Sequence, residues 1–200
     1  MELDHIFLFV RNEETARRMM ADARLRVNYT RHHPGQGTTN LCACLDDMFF
    51  ELLWGDGSAV SPASQAIGLE ARSRGLGSPL GISWRGDAGL DCDPYAAPFL
   101  PDGTTIPVAR ASRDLSLPFM FRTPGGVPPI RRTDGLVGER QAPEFRTLAQ
   151  VEITLPDPEP VEALFAPVPH LSFSAGTPGL RASLADAQGA VTGSFGWSAA

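Results

Sequence analysis

The sequence predicts an α+β protein in which a β-α-β-β-β unit opens the chain and is met again near its end. Three observations predict it. Apolar residues alternate through short runs and, after the first run, recur at helical spacing. The pattern of residues 3–20 returns at residues 148–165. One acid, Glu51, sits in the middle of an otherwise apolar strand.

Taken in order, Leu3 to Val10 sets Leu3, His5, Phe7 and Phe9 against Ile6, Leu8 and Val10, as in a strand buried on both faces. Asn12 suits a helix N-cap, and Glu13 and Glu14 suit its first turn. Ala16, Met19, Met20 and Ala23 recur at i, i+3, i+4 and i+7, so the helix ends near Leu25. Strands follow at about 27–32, 39–45 and 48–54, separated by Pro34-Gly35-Gln36-Gly37 and by Asp46-Asp47. Residues 55–78 hold a short helix capped by Ser61, with Pro62 at its first position. Pro79 to Arg85 is a further strand and Leu117 to Arg122 another. Residues 105–111 read as an edge strand, because Pro107 has no N–H to give a ladder. Residues 123–146 are rich in Pro, Gly and charge without periodicity, as a linker is. The expected organisation is one domain over residues 1–200, with a first module at 1–54, an insertion with additional strands at 55–146 and a second module at 147–197.

Charge and apolar runs exclude some functions. Seventeen basic against 23 acidic residues give a net charge of −6, and no clustered basic face is visible beyond the pairs Arg131-Arg132 and Arg17-Arg18, which read as solvated surface; this argues against nucleic acid. No apolar run approaches the roughly 20 residues that span a bilayer, and the N-terminus is not a signal peptide. A cytoplasmic protein with no membrane partner is expected. Cys42 and Cys44, two apart on one strand, read as reduced core thiols.

Glu51 shares a strand face with Phe49 and Leu53, and a carboxylate in that setting needs a cation, a metal or a wet cavity. His5 points with aromatics and reads either as a satisfied core histidine or as a ligand or general base. Laying Leu3–Met20 on Leu148–Phe165 puts Gln150 in the place of His5, and laying VTGSFGW on MFFELLW puts Ser194 in that of Glu51. Glu152, on the face of Gln150, is the reserve candidate. A second alignment takes SPLGISWR as the second module's opening strand and puts Gly81 there instead. Arg85 and Arg122 each end a strand and could hold a carboxylate or phosphate. His33 flanks the glycine-rich turn, and Trp54 could stack a flat ligand. These four are the candidate ligand contacts.

DHIF on the first strand, Glu51 on the fourth and the repeated unit resemble the vicinal oxygen chelate superfamily, which includes glyoxalase I, bleomycin-resistance proteins and extradiol dioxygenases. HPGQGTTN followed by FFELLW resembles its glyoxalase-like branch. The resemblance covers residues 1–54 well and 147–197 loosely. It implies paired βαβββ modules forming a curved mixed sheet around a cleft that takes a small oxygenated or aromatic molecule. It implies metal ligands at His5, Glu51 and Gln150, with Ser194 in place of the usual acid. That set is incomplete, so any divalent ion (Zn, Mn, Fe or Ni) is expected to bind weakly. Two functions stay open: a metal-assisted lyase, isomerase or dioxygenase with His5 and Glu51 as its catalytic pair, and a metal-free binding protein that sequesters its ligand. A homodimer is a further expectation of the resemblance.

Overall fold

In the structure, a computed structural model that describes residues 1–199, the chain forms an eight-stranded mixed sheet and a separate four-stranded one. The first unit has the expected order: β1 (Glu2–Phe9), α1 (Glu13–Asp22), β2 (Tyr29–His33), β3 (Thr38–Cys44) and β4 (Phe49–Gly55). Asn12 caps α1, its side chain accepting from the Thr15 amide at 2.9 Å. Gly35 and Gly37 take the left-handed conformation, each at φ 75°, that the turn between β2 and β3 requires. Two short helices follow, α2 (Pro62–Ala66) and α3 (Leu69–Ser73). Then come β5 (Leu80–Arg85), β6 (Cys92–Tyr95), β7 (Ile106–Ala109) and β8 (Phe119–Arg122). The order across the large sheet is β2-β3-β4-β1-β5-β8-β7-β6.

The α+β class and the mixed sheet around a cleft are as expected, but other residues supply the second half. β1 pairs antiparallel with β5, and β5 pairs parallel with β8 just as β1 pairs parallel with β4. Residues 80–122, not 147–197, therefore stand beside β1, as the alignment on SPLGISWR has it. The physical reason is burial. Every position of β5 is buried, as a central strand requires, whereas β9 (Thr147–Leu155) alternates and leaves Gln150 exposed. β9 is followed by α4 (Glu159–Phe165), β10 (Leu171–Ala175), β11 (Gly179–Ala185) and β12 (Val191–Ser198), wired β10-β9-β11-β12. The last unit thus repeats the first in element order but not in pairing. β6 forms where a loop was expected; it, and not β7, is the edge, with Pro107 facing Pro94 across the pair.

Alternation decides what each face of the large sheet meets. Ile6, Leu8, Phe50, Leu52, Ile82 and Trp84 face the back, where they share one core with Val151, Ile153 and Phe195 of the small sheet, Met20 of α1 and Phe165 of α4. Phe50 meets Phe195 at 4.7 Å between ring centroids, and Trp84 meets Phe165 edge-on at 5.8 Å. Full burial of one such side chain stabilises by about 1.5–3 kcal/mol. The front face carries Phe7, Leu53, Tyr95, Ile106 and Phe119 and encloses the cleft. Gly81 lies beneath Phe7, where an added Cβ would come within 1.9 Å of the ring. Gly81→Ala is expected to cost about 1–3 kcal/mol by overpacking, read as a lowered urea midpoint. Unchanged stability would mean that Phe7 has room to swing aside.

Candidate functional site

The ladder between β1 and β5 slips near its start: Leu3 pairs with Trp84 and His5 with Ser83, leaving Asp4 as an extra residue. This bulge turns Leu3 into the back core and leaves both Asp4 and His5 lining the cleft. On β4, Glu51 pairs with Phe7 of β1 and faces the same cavity. All three polar groups are buried, at 3%, 4% and 9% exposure for Asp4, His5 and Glu51.

They form a row. His5 Nδ1 lies 2.7 Å from Asp4 Oδ2, and His5 Nε2 lies 3.3 Å from Glu51 Oε2. The second approach is out of line for a hydrogen bond, so Nε2 has none and Glu51 acts on it through charge. Asp4 also accepts from Arg85 at 3.1 Å and from the Thr123 hydroxyl at 2.8 Å. Asn40 donates its amide to Glu51 Oε1, while its own Oδ1 accepts from the Arg31 backbone at 2.9 Å. Burial by itself would push the imidazole down. The bond to Asp4 and the nearness of Glu51 outweigh it and raise His5 from 6.5 to about 9. Burial likewise opposes ionisation of Asp4 and Glu51, yet their partners hold both below the usual carboxylate range: His5, Thr123 and Arg85 for Asp4, and His5, His33 and Asn40 for Glu51. At neutral pH the row is carboxylate, imidazolium, carboxylate. Phe49 stacks on the imidazolium at 4.3 Å, which favours a cation, and the Phe121 ring lies at 66° to it with centroids 5.3 Å apart.

The row floors a cavity of about 590 Å³ walled largely by Phe7, Leu53, Tyr95, Phe99, Ile106 and Phe119. His33 also lines it. Its Nδ1 lies 3.1 Å from Thr38 Oγ1 and its ring centroid 4.9 Å from that of Phe99. Burial, helped by the charges of Arg31 and His32, pushes His33 down against the pull of Glu51, so it is neutral at pH 7. Residues 123–136 run along one side of the opening.

The structure thus brings His5, Glu51 and His33 together and separates the other named residues from them. Arg85 is on the front face, but Asp4 and the Asp47 carbonyl, at 2.9 Å, occupy its guanidinium. Arg122 reaches Asp87 at 3.7 Å and does not line the cavity. Trp54 alternates with Leu53 and so falls in the back core. Gln150 is exposed on the small sheet, donating to the Ser172 hydroxyl at 3.2 Å, and Ser194 is exposed as well. Asp4, Asn40, Arg31, Arg131 and Arg132 were missed. A signal existed for Asn40, an amide directly before the buried apolar and thiol run Leu41–Cys44; Arg131 and Arg132 stood out only as a basic pair read as solvated surface, and Arg31 not at all.

The donor set can be tested against a divalent metal. Matching the pairing of β1 with β4 to that of β5 with β8, about the Ile6–Ile82 pair, puts Gly81 in the place of His5 and Phe121 in the place of Glu51. The first half offers two donors and the second none. Among the described residues no three His, Cys, Asp or Glu group so as to hold a metal ion. A catalytic zinc usually has three protein ligands, and here an ion would also have to displace the proton of a strongly paired imidazolium. The residues do not fit a resident divalent metal.

Residues 3–87 match the model of the family described as the glyoxalase-like domain. The likeness to that family lies in the first half of the chain. The match spans His5, Glu51 and Gly81, and it supports the vicinal oxygen chelate superfamily. No curated protein sequence matches the chain. Solved structures similar to it include a methylmalonyl-CoA epimerase in complex with methylmalonyl-CoA and NH4+, at 14% identity and TM-score 0.39, covering 62% of this chain and 94% of that one. A Streptomyces coelicolor methylmalonyl-CoA epimerase variant in complex with 2-nitronate-propionyl-CoA gives 15% identity over the same shares, also at 0.39. A hypothetical protein from Staphylococcus aureus gives 10% identity and 0.48, covering 82% of this chain and 73% of that one. At those values nothing about ligands passes from these proteins to this cleft. No helix among the described residues is long and apolar enough to cross a membrane.

Proposed function

We propose that this is a cytoplasmic, glyoxalase-like binding protein that takes a small, flat, oxygenated molecule into the cleft without a metal. The observation that carries the reading is the Asp4–His5–Glu51 row at the floor of an otherwise aromatic cavity. Aromatic walls supply area for a flat body, and the few polar groups at the floor fix its orientation. Glu51 is the acceptor for a ligand hydroxyl or N–H, since its Oε2 carries no hydrogen bond from Asn40 and none in line from His5. Titration calorimetry with a panel of phenols, catechols and aromatic amides tests this. Binding is expected to survive a chelator, and Glu51→Gln to weaken the best ligand about tenfold to a hundredfold, the range for a hydrogen bond to a charged group. Binding that requires added Zn, Mn, Fe or Ni would sink the metal-free reading.

A second reading, an isomerase or lyase that moves a proton at carbon, is supported by the depressed Glu51, which keeps it in its base form. Glu51 Oε2 would take the proton from a C–H beside a carbonyl while the imidazolium stabilises the enolate oxygen. Exchange of that ligand proton with deuterated solvent, followed by NMR and lost in Glu51→Gln, separates this reading from sequestration.

A further inference from the structure

We propose that Arg31 and Arg131 form an anion-recognition subsite at the cavity mouth, so that the ligand is an organic acid whose flat body enters the cleft while its charged group stays at the rim. This rests on the reading of the cleft as a site for a flat molecule, and adds the chemical class. Charge accounting around the cavity leads to it. Asp4 faces Arg85 and His5, Glu51 faces His5, and Asp134 faces Arg132 at 2.6 Å. Each acid lining the cavity therefore has its cation.

Arg31 and Arg131 line the same cavity, and among the described residues neither guanidinium meets a carboxylate or donates to a neutral partner; each of the two residues donates only from its backbone amide. Arg31 contributes only its backbone amide, to Asn40. Its guanidinium carbon stands 5.4 Å over the ring of Phe99, a wall residue, which fixes the cation at the opening. Arg132 is held the same way, 5.6 Å over Tyr29 with a bond to its hydroxyl, but Asp134 already neutralises it. In a chain of net charge −6, two uncompensated cations at the mouth of one cavity stand out. A guanidinium presents paired N–H donors that match a carboxylate or a phosphate, and low-dielectric walls behind it focus its field.

Naphthoate, naphthyl phosphate and the neutral isostere naphthamide test the proposal by titration calorimetry at neutral pH. The two anions are expected to bind roughly fivefold to tenfold tighter than the amide at low ionic strength, because both arginines are solvent-exposed and each contributes modestly. The gap should shrink in high salt, and the stronger of the two anions identifies carboxylate or phosphate as the partner. In the double variant Arg31→Gln/Arg131→Gln the anions should fall to the affinity of the amide, with amide binding unchanged. Leu100→Trp, which narrows the cavity, should weaken all three probes. Equal binding of anions and amide by the parent protein, or a preference that survives in the double variant, overturns the subsite; the cleft reading then stands if Leu100→Trp still weakens every probe. Absence of binding by all three at millimolar concentration overturns both.

Discussion

Asp4→Asn is expected to destabilise the protein by about 3–5 kcal/mol, the cost of leaving buried cations without their counter-ion. Asp4 is 3% exposed and is the one acid that reaches both Arg85, at 3.1 Å, and His5, at 2.7 Å. Its loss leaves a guanidinium that is itself 7% exposed with only the Asp47 carbonyl, at 2.9 Å, and the exposed Glu2 carboxylate, at 3.5 Å, and its Nε already lacks a partner. Urea unfolding of the variant measures this. Replacing the cation as well, in Asp4→Asn/Arg85→Met, should recover at least half of the loss, since the uncompensated charge is then gone. A loss below about 1 kcal/mol in the single variant would show that solvent reaches the pair and that the row is not a closed group.

Stability should fall by about 3 kcal/mol between pH 6.5 and pH 9, because His5 rises from its ordinary 6.5 to about 9 on folding. The folded state holds this proton more tightly than the unfolded one. The contribution is therefore complete below 6.5 and lost as pH climbs through about 9. His33 has the opposite sign: its lowered pKa favours the folded state above 6.5 and withdraws that support as pH falls below it. Asp4 and Glu51, held below their ordinary 3.8 and 4.5, add stability that disappears only in stronger acid. The profile should peak near pH 6.5. Above pH 9 the buried Cys44 thiol, pushed up to about 12 by burial, adds a further decline, so the measurement belongs below that value. Urea midpoints of the parent and of His5→Gln from pH 5 to pH 9 decide the matter. The variant should lose the alkaline slope, and a parent profile flat from 6.5 to 9 would mean that the imidazole is neutral in the fold.

Much of the site follows from alternation alone. His5 with Phe7, and Phe49 with Glu51 and Leu53, are faces read directly off a period of two, and the parallel pairing of β1 with β4 then sets the two polar groups side by side. The same parity already placed Trp54 on the opposite face from Glu51. The Asp4 bulge could not be read this way, because one inserted residue resets parity for everything before it; Leu3 changes face and Asp4 joins His5.

What the sequence by itself determined is therefore local: the β-α-β-β-β order of residues 2–55, the Asn12 cap, the glycine turn, the facing of His5 and Glu51, and a likeness to the glyoxalase-like domain that the match over residues 3–87 bears out. Tertiary structure alone decided which strand lies beside β1. Residues 3–20 and 148–165 share a periodicity, but periodicity encodes which face is apolar and carries nothing about which neighbour supplies the hydrogen bonds. The completely buried β5 met that requirement, and the half-exposed β9 did not. Tertiary structure likewise decided that Arg85 is tied to Asp4, while Arg31, on a strand edge, and Arg131, in a segment with no periodicity, reach the cavity mouth. A long cation's partner is set by what folds within its reach, and the residues flanking it in sequence do not specify that.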